Sequence, residues 1–183
     1  VAVQQVTSVW PASGFALAAV LFLGPRALLG IFLGSFLVNV GHWPQVGWVH
    51  AVAVAAGMAL GGTASAGLGA GLLRRFGGGE RCTESARGVF GFLLAAVLAG
   101  PAVAATLGTG SLVLGGFVDL VAAPPIARTW WLGDATGVLL ITPLVLAWRT
   151  EPAAATRRPI GEAALLACAL TAVSWLALVG SYR

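Results

Sequence analysis

Asp134 is the residue of this 183-residue chain that is best suited to chemistry by its type and position. It is the only acid inside a confidently apolar segment, and an ionisable side chain at membrane depth is costly enough to indicate a functional site. Trp130 and Trp131 precede it at i−4 and i−3, so a helix would place both indoles on the same face as the carboxylate. The alternative is a structural carboxylate that pairs with Arg128 or caps a neighbouring helix.

Other polar side chains fall at the same predicted end of the apolar segments as Asp134. Asn39 and His42 end one segment and His50 begins the next, so we predict a polar vestibule that opens outward. These residues lack the spacing of a metal motif. No nucleophile–base pair and no second acid inside the membrane supports catalysis. We therefore predict no metal, no cofactor and no catalytic residue, so that this part of the protein is not an enzyme.

Tryptophans mark the ends of several apolar segments. Their simplest role is an aromatic belt that holds helix ends at the lipid headgroups, and the alternative is an aromatic ligand cage. Five of them cluster at the predicted outer ends: Trp10, Trp43, Trp48, Trp130 and Trp131.

The composition around these residues requires a membrane. Hydrophobic residues make up 58% of the chain and charged residues 9%, whereas soluble domains carry about a quarter charged residues. Backbone polar groups in a bilayer must pair within helices or a closed barrel. The apolar runs do not alternate strictly, which favours helices. The predicted fold class is an all-α integral membrane protein, a polytopic transmembrane helix bundle in one domain over 1–183.

Six apolar segments are candidates to cross the bilayer. The second is short, so the first two could instead form a re-entrant hairpin. The stretch from 88 to 117 would be about 45 Å long as one helix, so we expect Pro101 to kink it and Gly108–Ser111 to end it. The predicted spans are 6–23, 27–40, 46–73, 88–107, 129–148 and 162–179.

The distribution of arginines predicts the orientation. All ten basic residues are arginines, and eight of them lie in the loops that follow spans one, three and five. The positive-inside rule places the loops 24–26, 74–87 and 149–162 in the cytoplasm. The arginines form no stripe with interleaved aromatic residues, so we predict the lipid bilayer as a partner and no nucleic acid.

Small residues recur every four positions in two of the spans. Such a face lets helices approach closely where lipid removes the hydrophobic drive for association. We expect packing inside the bundle, and homodimerisation through this face is the alternative. The predicted packing residues are Gly30 and Gly34 in the second span, and Gly57, Gly61, Ser65 and Gly69 in the third.

Two ordered blocks carry recognisable motifs: 8–18 with 23–26 and 30–39, and then 129–144. Together they resemble the bacterial membrane-associated sensor family of the first type (MASE). The chain departs from the family pattern at Ser8 and Ser13, where proline is common. It also has Gly57-Met58 where a Gly-Asn pair is usual.

The resemblance implies an inner-membrane sensory domain of about eight helices, fused to a histidine-kinase or diguanylate-cyclase output module. Six spans would then be an incomplete set. We expect this domain to relay an outer-face or intramembrane stimulus to its cytoplasmic module, as in two-component signalling. The alternative is a six-helix small-molecule binding or transport bundle, similar to the substrate-capture subunits of vitamin transporters. The motif positions that the resemblance marks as functional are Trp10, Pro11, Asn39, Trp130, Trp131 and Asp134.

Overall fold

The computed structural model describes residues 9–41 and 47–150, and the regular secondary structure within these ranges is helical. The sixth predicted span, 162–179, lies outside the described residues. A π-helix, Phe92–Ala99, joins α4 to α5, and short 3₁₀ turns occupy Gly24–Arg26 and Gly79–Arg81. The α-helices are α1 (Pro11–Leu23), α2 (Ala27–Val40), α3 (Trp48–Phe76), α4 (Ala86–Gly91), α5 (Gly100–Leu114) and α6 (Ala123–Thr150).

Within the described residues, four helical stretches are long and apolar enough to cross a membrane: Pro11–Val40, Trp48–Phe76, Ala86–Leu114 and Ala123–Trp148. Large apolar side chains stay exposed along all four stretches. Such a surface is a liability in water, but lipid solvates it. The chain is therefore a helical membrane protein, while the count of six spans stays a prediction. The exposed apolar side chains include Leu29, Leu37, Leu60, Phe90, Leu94, Leu140 and Leu144.

The first stretch folds back on itself at Gly24. This residue ends α1 with a φ of +73°, a conformation that favours glycine. Leu17 packs over Gly69 of α3, and Leu28 packs over Gly67. Because a straight helix would separate Leu17 from Leu28 by about 16 Å along its axis, α2 must run antiparallel to α1. With 13 and 14 residues, each helix is about 20 Å long, shorter than the ~30 Å hydrocarbon core.

α3 is the central helix and contacts α1, α2, the π-helix and α5. Its small residues face the π-helix and α5. A Cβ added at Gly61 would lie 3.2 Å from the carbonyl oxygen of Ala104, and one at Gly69 would lie 3.6 Å from Cα of Ala96. The small-residue face of α3 is thus occupied by packing inside the bundle. In α2, by contrast, a Cβ at Gly30 or Gly34 would meet no described atom within 4 Å.

The π-helix lies directly before Pro101. Proline has no backbone N–H, so an α-helical carbonyl one turn earlier would lack its donor. The neighbouring Gly100 N–H instead bonds to Ala95 O, five residues back. The predicted end at Gly108–Ser111 is wrong, because α5 continues to Leu114. The helix tolerates Gly108 because this residue packs against the indole ring of Trp130. It tolerates Ser111 because the Ser111 Oγ donates to Leu107 O at 2.7 Å within the helix.

One end of the bundle, the arginine end, comprises the turn after α1, the end of α3, the loop 77–85 and the start of α4. The Arg74 guanidinium donates there to the carbonyl oxygens of Val20 at 2.8 Å and Leu21 at 2.9 Å. These carbonyls lie in the last turn of α1, where that of Val20 also accepts the backbone N–H of Gly24. Cys82 is fully buried in the loop and burial raises the pKa of its thiol. Arg74 therefore ties α1 to α3 beside a compact loop.

Candidate functional site

α1 and α6 position the candidate site, and their backbones come into direct contact. A Cβ at Gly137 would collide with the carbonyl oxygen of Trp10, and a Cβ at Gly14 would collide with that of Gly137. Glycine is therefore required at both positions for this approach. The Trp10 N–H donates to Gly133 O at 2.9 Å, and Thr142 Oγ1 donates to Gly14 O at 3.0 Å. These two hydrogen bonds fix the register of α1 against α6.

This register buries Asp134, whose side chain lies against the start of α1 with 4% of the residue exposed. The side chains of Ser13 and Trp130 lie close enough to its carboxyl group to interact with it. Ser13 Oγ also lies 2.7 Å from Trp10 O and 3.1 Å from the backbone oxygen of Asp134. Among the described residues Asp134 makes no ion pair, and Arg128 is exposed. The alternative in which these two residues pair is therefore wrong.

A cavity of about 100 Å³ lies beside Asp134, between α1, α2, α3, α5 and α6. Besides this carboxyl group, the polar side chains in its wall are those of Ser13 and Ser65. The rest of the wall is apolar or aromatic. The volume is sufficient for several water molecules or one small ligand. The largest side chains in the wall are Trp10, Trp130, Met58 and Ile31.

The cavity lies halfway through the bundle. Gly62, in its wall, is fourteen residues from both Trp48 and Phe76, and so about 21 Å from either end of α3. Sequence analysis placed Asp134 near the outer end of a span beginning at residue 129. In the structure α6 begins earlier, at Ala123, so that Asp134 lies eleven residues into the helix. The site is therefore a cavity at mid-depth, where a charged group is most costly.

Three of the six predicted sensing residues meet in this cavity, namely Asp134, Trp130 and Trp10. Trp131 lies elsewhere, since its Nε1 donates to Leu98 O in the π-helix at 3.1 Å. Asn39 is not part of the cavity wall, and its amide donates to a carbonyl in its own helix, α2, at 2.8 Å. The remaining residue, His42, lies outside the described residues.

Three of the wall residues that were not predicted as sensing residues are Ser65, Ser13 and Met58. Ser65 was assigned to helix packing, and Ser13 and Met58 were noted only as departures from the MASE pattern. All three line the cavity. Ser13 carried a signal, because it follows Trp10 by three residues at the start of a helix and so shares its face. Met58 shares a face of α3 with Gly62 and Ser65, but the residues that they meet across the cavity belong to other helices, so local spacing did not mark it.

The arrangement is suited to recognition. Among the described residues, no group of three or more His, Cys, Asp or Glu side chains could hold a metal ion. The cavity offers one carboxyl group, two hydroxyls and two indoles in a largely apolar wall. A change in the charge at Asp134 or in the occupancy of the cavity would alter the packing of the five helices that line the cavity.

Comparison with known proteins identifies one family. The sequence model of the MASE1 family matches residues 1–182. No curated protein and no solved structure matches the chain.

Proposed function

Because the chain belongs to the MASE1 family, the membrane sensory domains of signalling proteins, we propose that the cavity around Asp134 is its input site. In this proposal an outer-face or intramembrane stimulus acts there, and the domain relays it to a cytoplasmic module of the histidine-kinase or diguanylate-cyclase type. The observation that carries the proposal is a buried carboxyl group, free of any ion pair with a described residue, at the mid-depth of a membrane bundle.

The route from the cavity to the output follows α1. Ser13 and Trp10, at the start of this helix, contact Asp134 or the cavity beside it. Val20 and Leu21, at its other end, accept hydrogen bonds from Arg74. A stimulus that favours one packing of α1 on α6 shifts the population of two states. The shift then reaches the arginine end, where α1 is tied to α3.

The proposed orientation places the arginine end in the cytoplasm of a bacterium, with the domain in the inner membrane. Spans of this family would reach the output module from that side. The support is the positive-inside rule, applied to the arginines that the fold gathers at one end: Arg26, Arg74, Arg75, Arg81 and Arg87.

Two further expectations remain proposals. Transport of a small molecule is compatible with the cavity, but membership of a sensory family favours signal input. A homodimer would use the face of α2 that contains Gly30 and Gly34, because the corresponding face of α3 is occupied inside the bundle.

The test is the output activity of the full-length protein in membranes. We expect Asp134→Asn to reset the output or abolish its response, by a factor within the ~5–150 that couplings of 1–3 kcal/mol produce. Asp119→Asn is the matched control, because it removes the same charge from an exposed turn outside the cavity. Unchanged output from Asp134→Asn at normal abundance would contradict the proposal.

A further inference from the structure

We infer that the cavity beside Asp134 binds a small organic ammonium ion. The inference deepens the proposed function, because it names the ligand class for the same site. It depends on the contents of the cavity wall and on the position of the cavity in the bundle.

The charged groups in the wall of the cavity favour a cationic ligand. Among the described residues, no arginine, lysine or histidine lines the cavity, and Asp134 makes no ion pair with any of them. An unpaired aspartate at the centre of a membrane helix is costly. A cation in the cavity would supply a counter-charge and so favour the ionised form of the carboxyl group. An anionic ligand would bring a charge that no described group in the wall compensates, so the wall selects against phosphates and carboxylates.

The second step concerns the type of cation. A metal ion requires several hard ligands, and the cavity has a single carboxyl group. An organic ammonium ion combines one positive charge with apolar substituents. These would contact the apolar wall formed by Met58, Ile31 and neighbouring alanines. The volume of about 100 Å³ restricts the ligand to a few non-hydrogen atoms.

The third step concerns the two indoles, Trp10 and Trp130, which line the cavity together with Asp134. Indole is the aromatic group that attracts ammonium ions most strongly, especially where water is excluded. Trp130 is held in place, because its six-membered ring packs against Gly108. The cavity thus presents a carboxyl group and preorganised aromatic groups to the same small volume.

The test is isothermal titration calorimetry on the purified full-length protein in lipid nanodiscs. Trimethylammonium chloride is the probe, tert-butanol is an uncharged probe of similar size, and sodium chloride is the salt control. We expect saturable binding of trimethylammonium alone. Absence of trimethylammonium binding, or equal binding of tert-butanol, would overturn the inference.

Two pairs of variants locate the site. Asp134→Asn should weaken binding at least about tenfold, while Asp119→Asn should leave it unchanged. Gly62→Leu should also block binding, because Gly62 lies in the cavity wall and a Cβ there meets no atom within 4 Å. Gly71→Leu is its control, since position 71 of the same helix is equally open but lies outside the cavity. Size-exclusion profiles verify that each variant is folded.

The outcomes separate this inference from the proposed function. If trimethylammonium does not bind but Asp134→Asn still resets the output, the ligand class is wrong and the input site stands. If binding requires Asp134 but the output ignores both the ligand and the substitution, the site binds ammonium and the proposed function is wrong. Equal loss of binding in Gly62→Leu and Gly71→Leu would remove the cavity as the binding site.

Discussion

Replacement of Gly137 by alanine tests the contact on which the whole site depends. The new methyl group would fall on the carbonyl oxygen of Trp10 and lie 2.8 Å from Ser13 Oγ. Because a backbone carbonyl cannot rotate away as a side chain can, α1 must move from α6. That movement would open the cavity and separate Ser13 from Asp134.

The size of the effect follows from three contributions. Alanine stabilises a helix by about 1 kcal/mol relative to glycine. Overpacking of this kind costs ~1–3 kcal/mol. The bonds from Trp10 N–H to Gly133 O and from Thr142 Oγ1 to Gly14 O contribute about 1 kcal/mol each and would be weakened. Gly110→Ala is the control, because a Cβ at that helical position meets nothing within 4 Å. We expect the two variants to differ by about 3 kcal/mol.

The measurement is the free energy of unfolding in mixed micelles titrated with sodium dodecyl sulfate, followed by circular dichroism. Gly110→Ala should unfold at the same or a higher detergent fraction than the wild type, and Gly137→Ala at a clearly lower one. Coincident transitions for the two variants would refute the close approach of α1 to α6, and with it the geometry of the cavity.

Two further predictions concern the arginine end. Arg74→Gln should lower the free energy of unfolding by about 1.5–3 kcal/mol, because it removes charged hydrogen bonds to two carbonyls of α1; the exposed Arg87→Gln should change it little in the same titration, and equal effects would count against the tie. In a Cys168→Ser background, Cys82 should react with maleimide at pH 7.5 at least about tenfold more slowly than a cysteine at the exposed position Thr83 in a Cys82→Ser chain. Burial shields the Cys82 thiol and raises its pKa, so less thiolate is present at that pH; similar rates would show that the loop is open.

The membrane class and the family could both be predicted from the sequence. The apolar composition indicates that the protein folds in a lipid bilayer. The two motif blocks indicate a family that the comparison confirms. The i−4 spacing correctly placed Trp130 beside Asp134. The i−3 spacing also predicted Trp131 beside Asp134, and this prediction was wrong. Periodicity shows which residues share a helix face, but it does not show which neighbouring helix each of those residues contacts.

The depth of the site could not be predicted from local patterns. Prolines at 124 and 125 suggested a boundary, but prolines are tolerated in the first turn of a helix, where N–H groups have no helical partner. α6 therefore begins earlier than expected. The level of α1 depends on its contacts with α6, such as that between Gly14 and Gly137, 123 residues apart in sequence. Such a contact leaves no periodic signature in either segment.

The π-helix gives the third membrane-crossing stretch, Ala86–Leu114, a property that a uniform α-helix would lack. Its hydrogen bonds span five residues, and conversion to the α-helical pattern shifts the alignment by one residue. In an α-helix one residue corresponds to a rotation of about 100° and a rise of 1.5 Å. A shift of one residue within Phe92–Ala99 would therefore rotate α4 about its axis relative to α5. Ala104 of α5 lines the cavity. Trp131 lies in α6, the helix that contains Asp134, and its hydrogen bond to Leu98 O connects α6 to the π-helix.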